Sequence, residues 1–303
     1  MNELEIFWQH PVITEKMFYN QNKHHEQYFG FPWATVIDRV QRSGLKLKDV
    51  YDMLHTKTLG KRDLYTCCQH IQFSLLLDLF RHLNINHVYA CHKQLGQDVM
   101  HDVRVSPCPL YAVNIEDHTR NHDFIGVDVH NTTRDILYSF QGAYVKQHYM
   151  SDVRERILTM QHPSDCVVTN TGGWHFERAV YGGGLQSDDT TVMNSHEQSS
   201  TSQYNQLLLR SKYSLCPSGS GPNSIRLWES LAAGSIPVLL SDTLELPKHE
   251  LWEQSIIHVK ESDVYKLPEI LSSYSCEQID IMRHNCTSLY SFFRNNFSIC
   301  RKI

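Results

Sequence analysis

Apolar residues along the chain fall into short runs that predict buried strands, with helical patterns between them. Leu64–Cys68 is one such run, residues 88–90 form another, and residues 71–83 between them carry apolar side chains at helical spacing. A strand, a helix and a strand in this order make one β-α-β unit with parallel strands and a right-handed crossover. The first third of the chain therefore predicts an α/β fold.

The second half of the chain shows the same alternation more regularly. Its predicted strands lie at residues 136–140, 167–169, 213–216, 236–240 and 256–259, and its predicted helices at residues 151–158, 204–210, 225–233, 264–272 and 277–293. Polar residues 120–134 separate the two halves and predict a linker. We expect two domains, residues 1–134 and residues 135–303.

Residues 213–240 form the most informative stretch, because they predict a strand, a glycine-rich loop, a helix and a second strand. Small residues 218–222 precede a helix that Asn223 or Ser224 can cap, and Gly234 follows it in the position that ends many helices. Free N–H groups at a helix N-terminus and the helix dipole make such a loop a site for anions.

Arg226 and Glu229 lie three residues apart on this helix and therefore share a face. A cation near the N-terminus opposes the helix dipole unless an anion lies there, and a carboxylate one turn further can accept hydrogen bonds from a sugar diol. We predict phosphates on the loop and Arg226, and ribose hydroxyls on Glu229. An ordinary helix with a local Arg–Glu ion pair fits the spacing equally well.

Two further groups of polar residues follow predicted strands. Residues 6–8 predict a first strand with His10 after it, and residues 109–113 predict another, followed by Glu116 and Asp117. Residues at the carboxyl end of a strand in an open α/β sheet face a crevice, so these three side chains are candidate proton-transfer groups. A hydrogen-bonded loop histidine and a solvated turn are the competing interpretations.

Composition and charge exclude several classes of protein. The net charge of −5 gives no signal for nucleic-acid binding, and 41% hydrophobic residues suit a packed core. No apolar run approaches the roughly 18 residues that span a bilayer, and the first residues lack the features of a signal peptide. The nine cysteines include no Cys-x-x-Cys pair, and no His-Glu-x-x-His pattern occurs. We expect reduced cysteines, no bound metal and a cytoplasmic location.

Two motifs in the second half of the chain resemble those of a known family. The longer one, at residues 215–238, is Leu-Cys-Pro-Ser-Gly-Ser-Gly-Pro-Asn-Ser-Ile-Arg-Leu-Trp-Glu-Ser-Leu-Ala-Ala-Gly-Ser-Ile-Pro-Val. The shorter one, Ser-Phe-Gln-Gly at residues 139–142, is followed by Arg154. Both are similar to motifs of exostosin-type (GT47) glycosyltransferases, and the short chain resembles bacterial members of that family.

The resemblance implies an α/β fold of the GT-B class, in which two Rossmann-like domains face a central cleft and the last helix packs back on the first domain. It implies an acceptor site on the first domain, a nucleotide-sugar site on the second, and no bound metal or other cofactor. The predicted donor-binding residues are Gly142, Arg154, Lys212, Ser218, Gly219, Ser220, Gly221, Asn223, Ser224, Arg226 and Glu229. The candidates for a general base are Glu116, Asp117 and His10. Trp174, between a glycine pair (172–173) and a glycine triplet (182–184), could stack on a sugar or base, or pack in the core.

The predicted function is transfer of a sugar from a nucleoside-diphosphate donor, by family default a UDP-sugar, to a glycan acceptor. The resemblance favours inversion at the anomeric carbon and a role in surface polysaccharide or lipopolysaccharide synthesis. A lipid-linked acceptor would bring the enzyme into weak contact with the inner face of the membrane. A catalytically inactive protein that binds nucleotide sugar or glycan is the alternative, since it would keep Arg226 and Glu229. A dinucleotide oxidoreductase is disfavoured because no Gly-x-Gly-x-x-Gly follows an early strand.

Overall fold

The computed structural model describes residues 6–173 and 195–296. The strands are β1 Leu64–Cys68, β2 Ile85–Ala90, β3 Val99–Met100, β4 Val103–Pro107, β5 Ile136–Gly142, β6 Val167–Asn170, β7 Ser211–Pro217, β8 Ile236–Leu240 and β9 Ile257–His258. The α-helices are α1 Thr14–Asn22, α2 Trp33–Arg42, α3 Leu47–Thr58, α4 Leu77–His82, α5 Val113–Glu116, α6 Val153–Thr159, α7 Ser195–Arg210, α8 Ile225–Ala232, α9 Trp252–Ser255, α10 Leu267–Ser272 and α11 Cys276–Asn295. The 3₁₀ segments are Phe73–Leu76, His122–Phe124 and Glu261–Lys266.

The first sheet has the strand order β1-β2-β4-β3, with β3 antiparallel to β4 and the other pairs parallel. Because side chains alternate along a strand, β1 contributes to two different cores. Cys68 belongs to a core with Trp33 of α2, on one face of the sheet. Cys67 belongs, with Phe18 of α1, to a larger core that continues into the second half of the chain.

The second sheet is entirely parallel, in the order β6-β5-β7-β8-β9. The predicted β-α-β unit lies at its centre and consists of β7, α8 and β8. Gly234 follows α8 and has a φ of +64°. Gly234 N–H donates to Leu231 O at 3.2 Å and Ser235 N–H donates to Ser230 O at 3.0 Å. These two bonds form a Schellman motif, which explains why glycine stands at this position.

Turns that follow β2 contact turns that follow β7 and β8. Asn223 Nδ2 donates to Cys91 O at 2.7 Å, and Lys93 Nζ forms an ion pair with Glu245 Oε1 at 2.6 Å. The carboxyl ends of the two sheets therefore face each other. This confirms the predicted α/β class with two Rossmann-like, GT-B-type halves, whereas the boundary at residue 134 stays a prediction.

The last helix, α11, begins with a capping box between Ser275 and Gln278 and reaches the first half of the chain at its other end. Arg294 Nε lies 2.6 Å from Glu116 Oε1, and Gln21 Nε2 donates to Arg294 O at 3.4 Å. None of the described helices combines the length and apolarity needed to cross a bilayer.

Several predicted elements of the first half are wrong. Residues 6–8 and 109–113 are not strands, because side chains satisfy their backbone groups: Phe7 O accepts from Thr35 Oγ1, and Tyr111 N–H donates to Thr14 Oγ1, both at 2.8 Å. The third strand of this sheet is β4, and helix α1 was not predicted. In the second half, helix α7 begins at Ser195, nine residues before the helix predicted at residues 204–210.

Candidate donor site and catalytic residues

Arg154, on the first turn of α6, directs its guanidinium toward the loop after β7. Its Nε donates to Ser218 O at 2.8 Å and its Nη1 donates to Ala143 O at 3.1 Å. The guanidinium also lies 4.7 Å from the centre of the Tyr149 ring. Burial, followed by the nearby charge of Arg226, lowers the pKa of Arg154 to about 10, so the side chain remains a cation at neutral pH.

Arg226, on the first turn of α8, approaches the same place from the other side. Its Nη1 donates to Leu215 O at 3.2 Å and its Nη2 donates to Gln141 O. Its guanidinium lies 4.5 Å from the centre of the Phe140 ring, and Arg154 lies 5.6 Å from that centre. Two cations thus share one aromatic ring, which partly offsets their mutual repulsion.

Among the described residues, neither guanidinium forms an ion pair with a carboxylate. Both guanidiniums donate to backbone carbonyls. The charge of Arg226 also acts on the nearby Glu229 carboxyl, where it opposes the rise in pKa that burial causes. Like charges held together in a partly buried place favour an anion that binds between them. This arrangement can hold a phosphate or diphosphate group.

Gly142 lies where the two arginines converge. A Cβ atom added there would lie 3.0 Å from Phe140 Cζ, 3.3 Å from Arg226 Nη2 and 3.4 Å from Arg154 Nη1. A Cβ on Gly219 would lie 3.4 Å from Arg154 Nη2. The predicted residues Gly142, Gly219, Arg154 and Arg226 are therefore brought together, and the glycines leave room beside the guanidiniums.

The remaining loop residues differ in what they can offer a ligand. Ser218 is buried and its Oγ donates to Glu261 Oε1 at 2.9 Å, whereas Ser220 is exposed. Ser224 precedes α8 and its side chain makes no capping hydrogen bond. A Cβ on Gly221 would lie 2.5 Å from His92 Nδ1, so this glycine is required by the close approach of the two halves.

Two predicted donor-binding residues lie elsewhere or have another structural role. Lys212 is at the amino end of β7, and a strand of that length places it roughly 20 Å from the loop after the carboxyl end. Asn223 is buried: its Nδ2 donates to Cys91 O, and its Oδ1 accepts from Trp228 Nε1 at 3.0 Å. Lys212 is therefore not part of this group, and Asn223 joins the two halves of the molecule.

Glu229 lies beside Arg226 on α8 but is buried, with 2% of its surface exposed. Asn114 N–H donates to Glu229 Oε1 at 2.8 Å, and Tyr204 Oη donates to Oε2 at 2.7 Å. Burial raises the pKa of Glu229, while these two hydrogen bonds oppose the rise. A ribose would have to share or replace one of these donors.

The three candidate bases lie close together but differ in their contacts. Glu116 Oε1 accepts from Tyr290 Oη and pairs with Arg294, so its carboxylate is engaged by α11. Asp117 is buried, and His10 Nε2 lies 3.9 Å from Asp117 Oδ2. Neither His10 nor Asp117 follows a strand, so the reason for predicting them was wrong, yet the structure makes them neighbours.

Sequence reasoning did not name two aromatic residues that lie beside the arginines, and one residue that it named lies outside the described residues. Phe140 lies within the predicted Ser-Phe-Gln-Gly motif, which was a usable signal for its role under the two arginines. Tyr204, whose ring centre lies 5.5 Å from the Arg226 guanidinium, was not among the predicted donor-binding residues. Trp174 lies outside the described residues.

Comparisons with known proteins agree with the motifs. Residues 101–274, more than half of the chain, match the family described as the exostosin GT47 domain. An exostosin-1 homolog of Caenorhabditis elegans is 26% identical over 191 residues, which cover 62% of this chain and 47% of that protein. A probable glucuronoxylan glucuronosyltransferase of Arabidopsis thaliana is 36% identical over 84 residues, covering 27% of this chain and 19% of that protein. The chain thus spans less than half the length of these relatives.

Similarity to solved structures is weak. The N-terminal domain of Candida albicans trehalose-6-phosphate phosphatase superposes with a TM-score of 0.43 at 14% identity, over 82% of this chain and 66% of that one. Staphylococcus aureus MnaA with UDP superposes with a TM-score of 0.41 at 11% identity, over 83% and 80% of the two chains. Scores of this size carry no argument about fold or function.

Proposed function

The chain belongs to the exostosin GT47 family, and from that premise we propose that it is a glycosyltransferase that uses a nucleoside-diphosphate sugar. The observation that carries this proposal is the pair Arg154 and Arg226, two cations with no carboxylate within ion-pair distance among the described residues. They surround Gly142 and the glycine-rich loop. A diphosphate supplies the negative charge and the acceptor oxygens that this arrangement lacks.

The two arginines would act mainly on the leaving group. When the bond between the sugar and the diphosphate breaks, negative charge develops on the diphosphate oxygen. Fixed guanidiniums stabilise that charge more than they stabilise the intact donor, and this difference is what accelerates the reaction. We propose that UDP is the leaving diphosphate and that these arginines serve where other transferases use a divalent metal.

His10 is the residue we propose as general base, with Asp117 as the residue that orients it. Asp117 Oδ1 accepts from Thr119 N–H at 2.9 Å and from Thr119 Oγ1 at 2.8 Å, while Arg120 Nε lies 3.9 Å from Oδ2. These contacts keep Asp117 a fixed carboxylate beside the imidazole. A base that removes the proton of the acceptor hydroxyl suits an inverting reaction.

The acceptor we propose is a hydroxyl of a glycan bound against the first half of the molecule. Gln69, directly after β1, donates from its Nε2 to Oε1 of Gln9 at 2.8 Å, so the neighbouring His10 lies near the carboxyl end of the first sheet. A surface polysaccharide or lipopolysaccharide, built at the inner face of a membrane, is the acceptor class that the resemblance to short bacterial members suggests. Its lipid would account for a weak peripheral contact with the membrane.

A thermal-shift screen with UDP, GDP, CMP, ADP and NAD, each with and without EDTA, tests the donor class. We expect UDP to raise the melting temperature most, by the same amount with EDTA, because ligand binding to the folded state adds to its stability. A shift with NAD alone would point to an oxidoreductase and contradict the proposal.

Release of UDP from a UDP-sugar in the presence of a glycan acceptor then separates a transferase from a binding protein. A protein that binds UDP selectively but never turns over with any acceptor would be the catalytically inactive alternative.

A further inference from the structure

Three cysteine side chains meet at the end of the first sheet. Cys67 lies in β1, Cys91 directly follows β2 and Cys108 directly follows β4, and these strands are neighbours in the order β1-β2-β4. All three side chains belong to the larger core and are 1% exposed. Their sulfur atoms lie within 4.8 Å of one another, and the sulfurs of Cys67 and Cys108 are 3.9 Å apart.

These distances suit a metal ion better than a disulfide. An ion bonded to three sulfurs at about 2.3 Å in one plane holds those sulfurs about 4 Å apart. The observed 3.9 Å between Cys67 and Cys108 needs almost no rearrangement to reach that value. In a disulfide the same two sulfurs would have to approach to about 2 Å.

We propose that Cys67, Cys91 and Cys108 bind one thiophilic closed-shell ion, Zn²⁺ or Cu⁺. Thiolate sulfur selects these ions over Mg²⁺ or Ca²⁺, which prefer oxygen ligands. Three sulfurs complete a three-coordinate Cu⁺ site. For tetrahedral Zn²⁺ the carbonyl of Pro109, 3.2 Å from Cys91 Sγ, is placed to be the fourth ligand.

Binding exchanges protons for the ion and involves no oxidation. The apolar surroundings favour a site without net charge. Each thiol that binds the ion loses its proton and becomes a thiolate, so binding by all three cysteines releases three protons to solvent. Three thiolates leave one net negative charge with Zn²⁺ and two with Cu⁺, so the apolar surroundings favour Zn²⁺.

The site lies next to the contacts that join the two halves of the molecule. The backbone carbonyl of Cys91 accepts from Asn223, and Lys93, two residues further on, pairs with Glu245. An ion that holds Cys91 in place would brace this turn. The inference does not depend on the proposed donor or on transferase activity.

Reduced protein, kept without oxygen, should be titrated with Zn²⁺ and separately with Cu⁺, in a Cys276→Ser background that removes an exposed thiol. We expect one ion per chain, a higher melting temperature and a sulfur-to-metal charge-transfer band for Cu⁺. Cys67→Ser, Cys91→Ser and Cys108→Ser should each weaken binding more than about tenfold, since a ligand is lost. Cys286→Ser is the control, because Cys286 is equally buried and donates to Ser255 O at 2.9 Å, which serine can also do.

X-ray absorption of the metal-loaded protein with its three cysteines intact keeps the test decisive if a variant fails to fold. A shell of three sulfurs at about 2.3 Å supports the site. A shell of nitrogen and oxygen only, no bound ion, or binding that survives in the triple serine variant would overturn it.

Discussion

At the scale of single residues, the donor site depends on two arginines that share the ring of Phe140. Each guanidinium donates to backbone carbonyls, and neither has a carboxylate within ion-pair distance among the described residues. Holding two cations this close costs free energy in the empty protein. An anion bound between them recovers that energy, which makes the site selective for phosphate over neutral groups.

Gly142→Ala tests how tightly the arginines are placed. The added methyl carbon would lie 3.0 Å from Phe140 Cζ and 3.3 Å from Arg226 Nη2, so the ring and the Arg226 guanidinium must shift by a few tenths of an ångström. We expect the affinity for UDP to fall about tenfold, or about 1.4 kcal/mol, by calorimetry. The affinity for uridine, which has no phosphate, serves as the control and should not change.

His10→Gln tests the proposed base. Loss of a general base lowers turnover by about 10²- to 10⁴-fold, while UDP affinity should stay the same because His10 is proposed to act on the acceptor. Asp117→Asn, which removes the orienting charge, should lower turnover by less. Unchanged turnover in His10→Gln would remove His10 from the mechanism.

Sequence reasoning predicted the grouping of Arg154 and Arg226 because both belong to motifs with defined neighbours. It placed Lys212 wrongly, since closeness in sequence says nothing about which end of a strand a residue occupies. It also could not show that Glu229 would be enclosed by Asn114 and Tyr204, because both come from distant parts of the chain.

At the scale of elements, the prediction came closest to the structure at α8. Its flanking strands and the glycine that ends it were predicted closely, because the apolar periodicity and the turn residues indicate the same boundaries. In the first half, β4 was missed because its sequence Val-Arg-Val-Ser-Pro is half polar, and it bears exposed Arg104. Residues 109–113 are apolar and buried but form no strand. An apolar sequence alone therefore predicted the wrong element.

Gly234→Ala tests the Schellman motif that ends α8. Alanine at φ of +64° costs about 1–2 kcal/mol of stability, because its Cβ crowds the carbonyl that follows. Urea unfolding should show this loss. Gly173→Ala is the matched control: an added Cβ there meets no atom within 4 Å and the backbone is not left-handed. Equal stability of the two variants would contradict the role of Gly234.

At the scale of the whole molecule, one core and several polar contacts join the two sheets. His92 lies at this junction, 8% exposed, with its Nδ1 facing the backbone of Gly221. Burial, and secondarily the charge of His70, lower the pKa of His92 to about 3. His92 is therefore neutral in the folded protein at neutral pH.

Stability should consequently fall in acid. The unfolded chain binds a proton at His92 below about pH 6.5, whereas the folded protein does so only near pH 3. The contribution of His92 is fully present above pH 6.5 and is lost as the pH falls from there toward 3. Urea unfolding at several pH values should show a shallower acid loss in His92→Gln than in the parent protein. An unchanged slope would mean that His92 can be charged in the folded state.

The most direct test of the account is titration calorimetry of UDP and uridine against the parent protein, Arg154→Ala and Arg226→Ala. Arg156→Ala is the control, since Arg156 lies on the same helix as Arg154 but pairs with Asp152. We predict that each of the first two variants loses about tenfold or more in UDP affinity, as expected for a charged hydrogen bond worth about 1.5–3 kcal/mol, and keeps its affinity for uridine. Equal losses for UDP and uridine, or no loss for UDP, would contradict a diphosphate site at the two arginines.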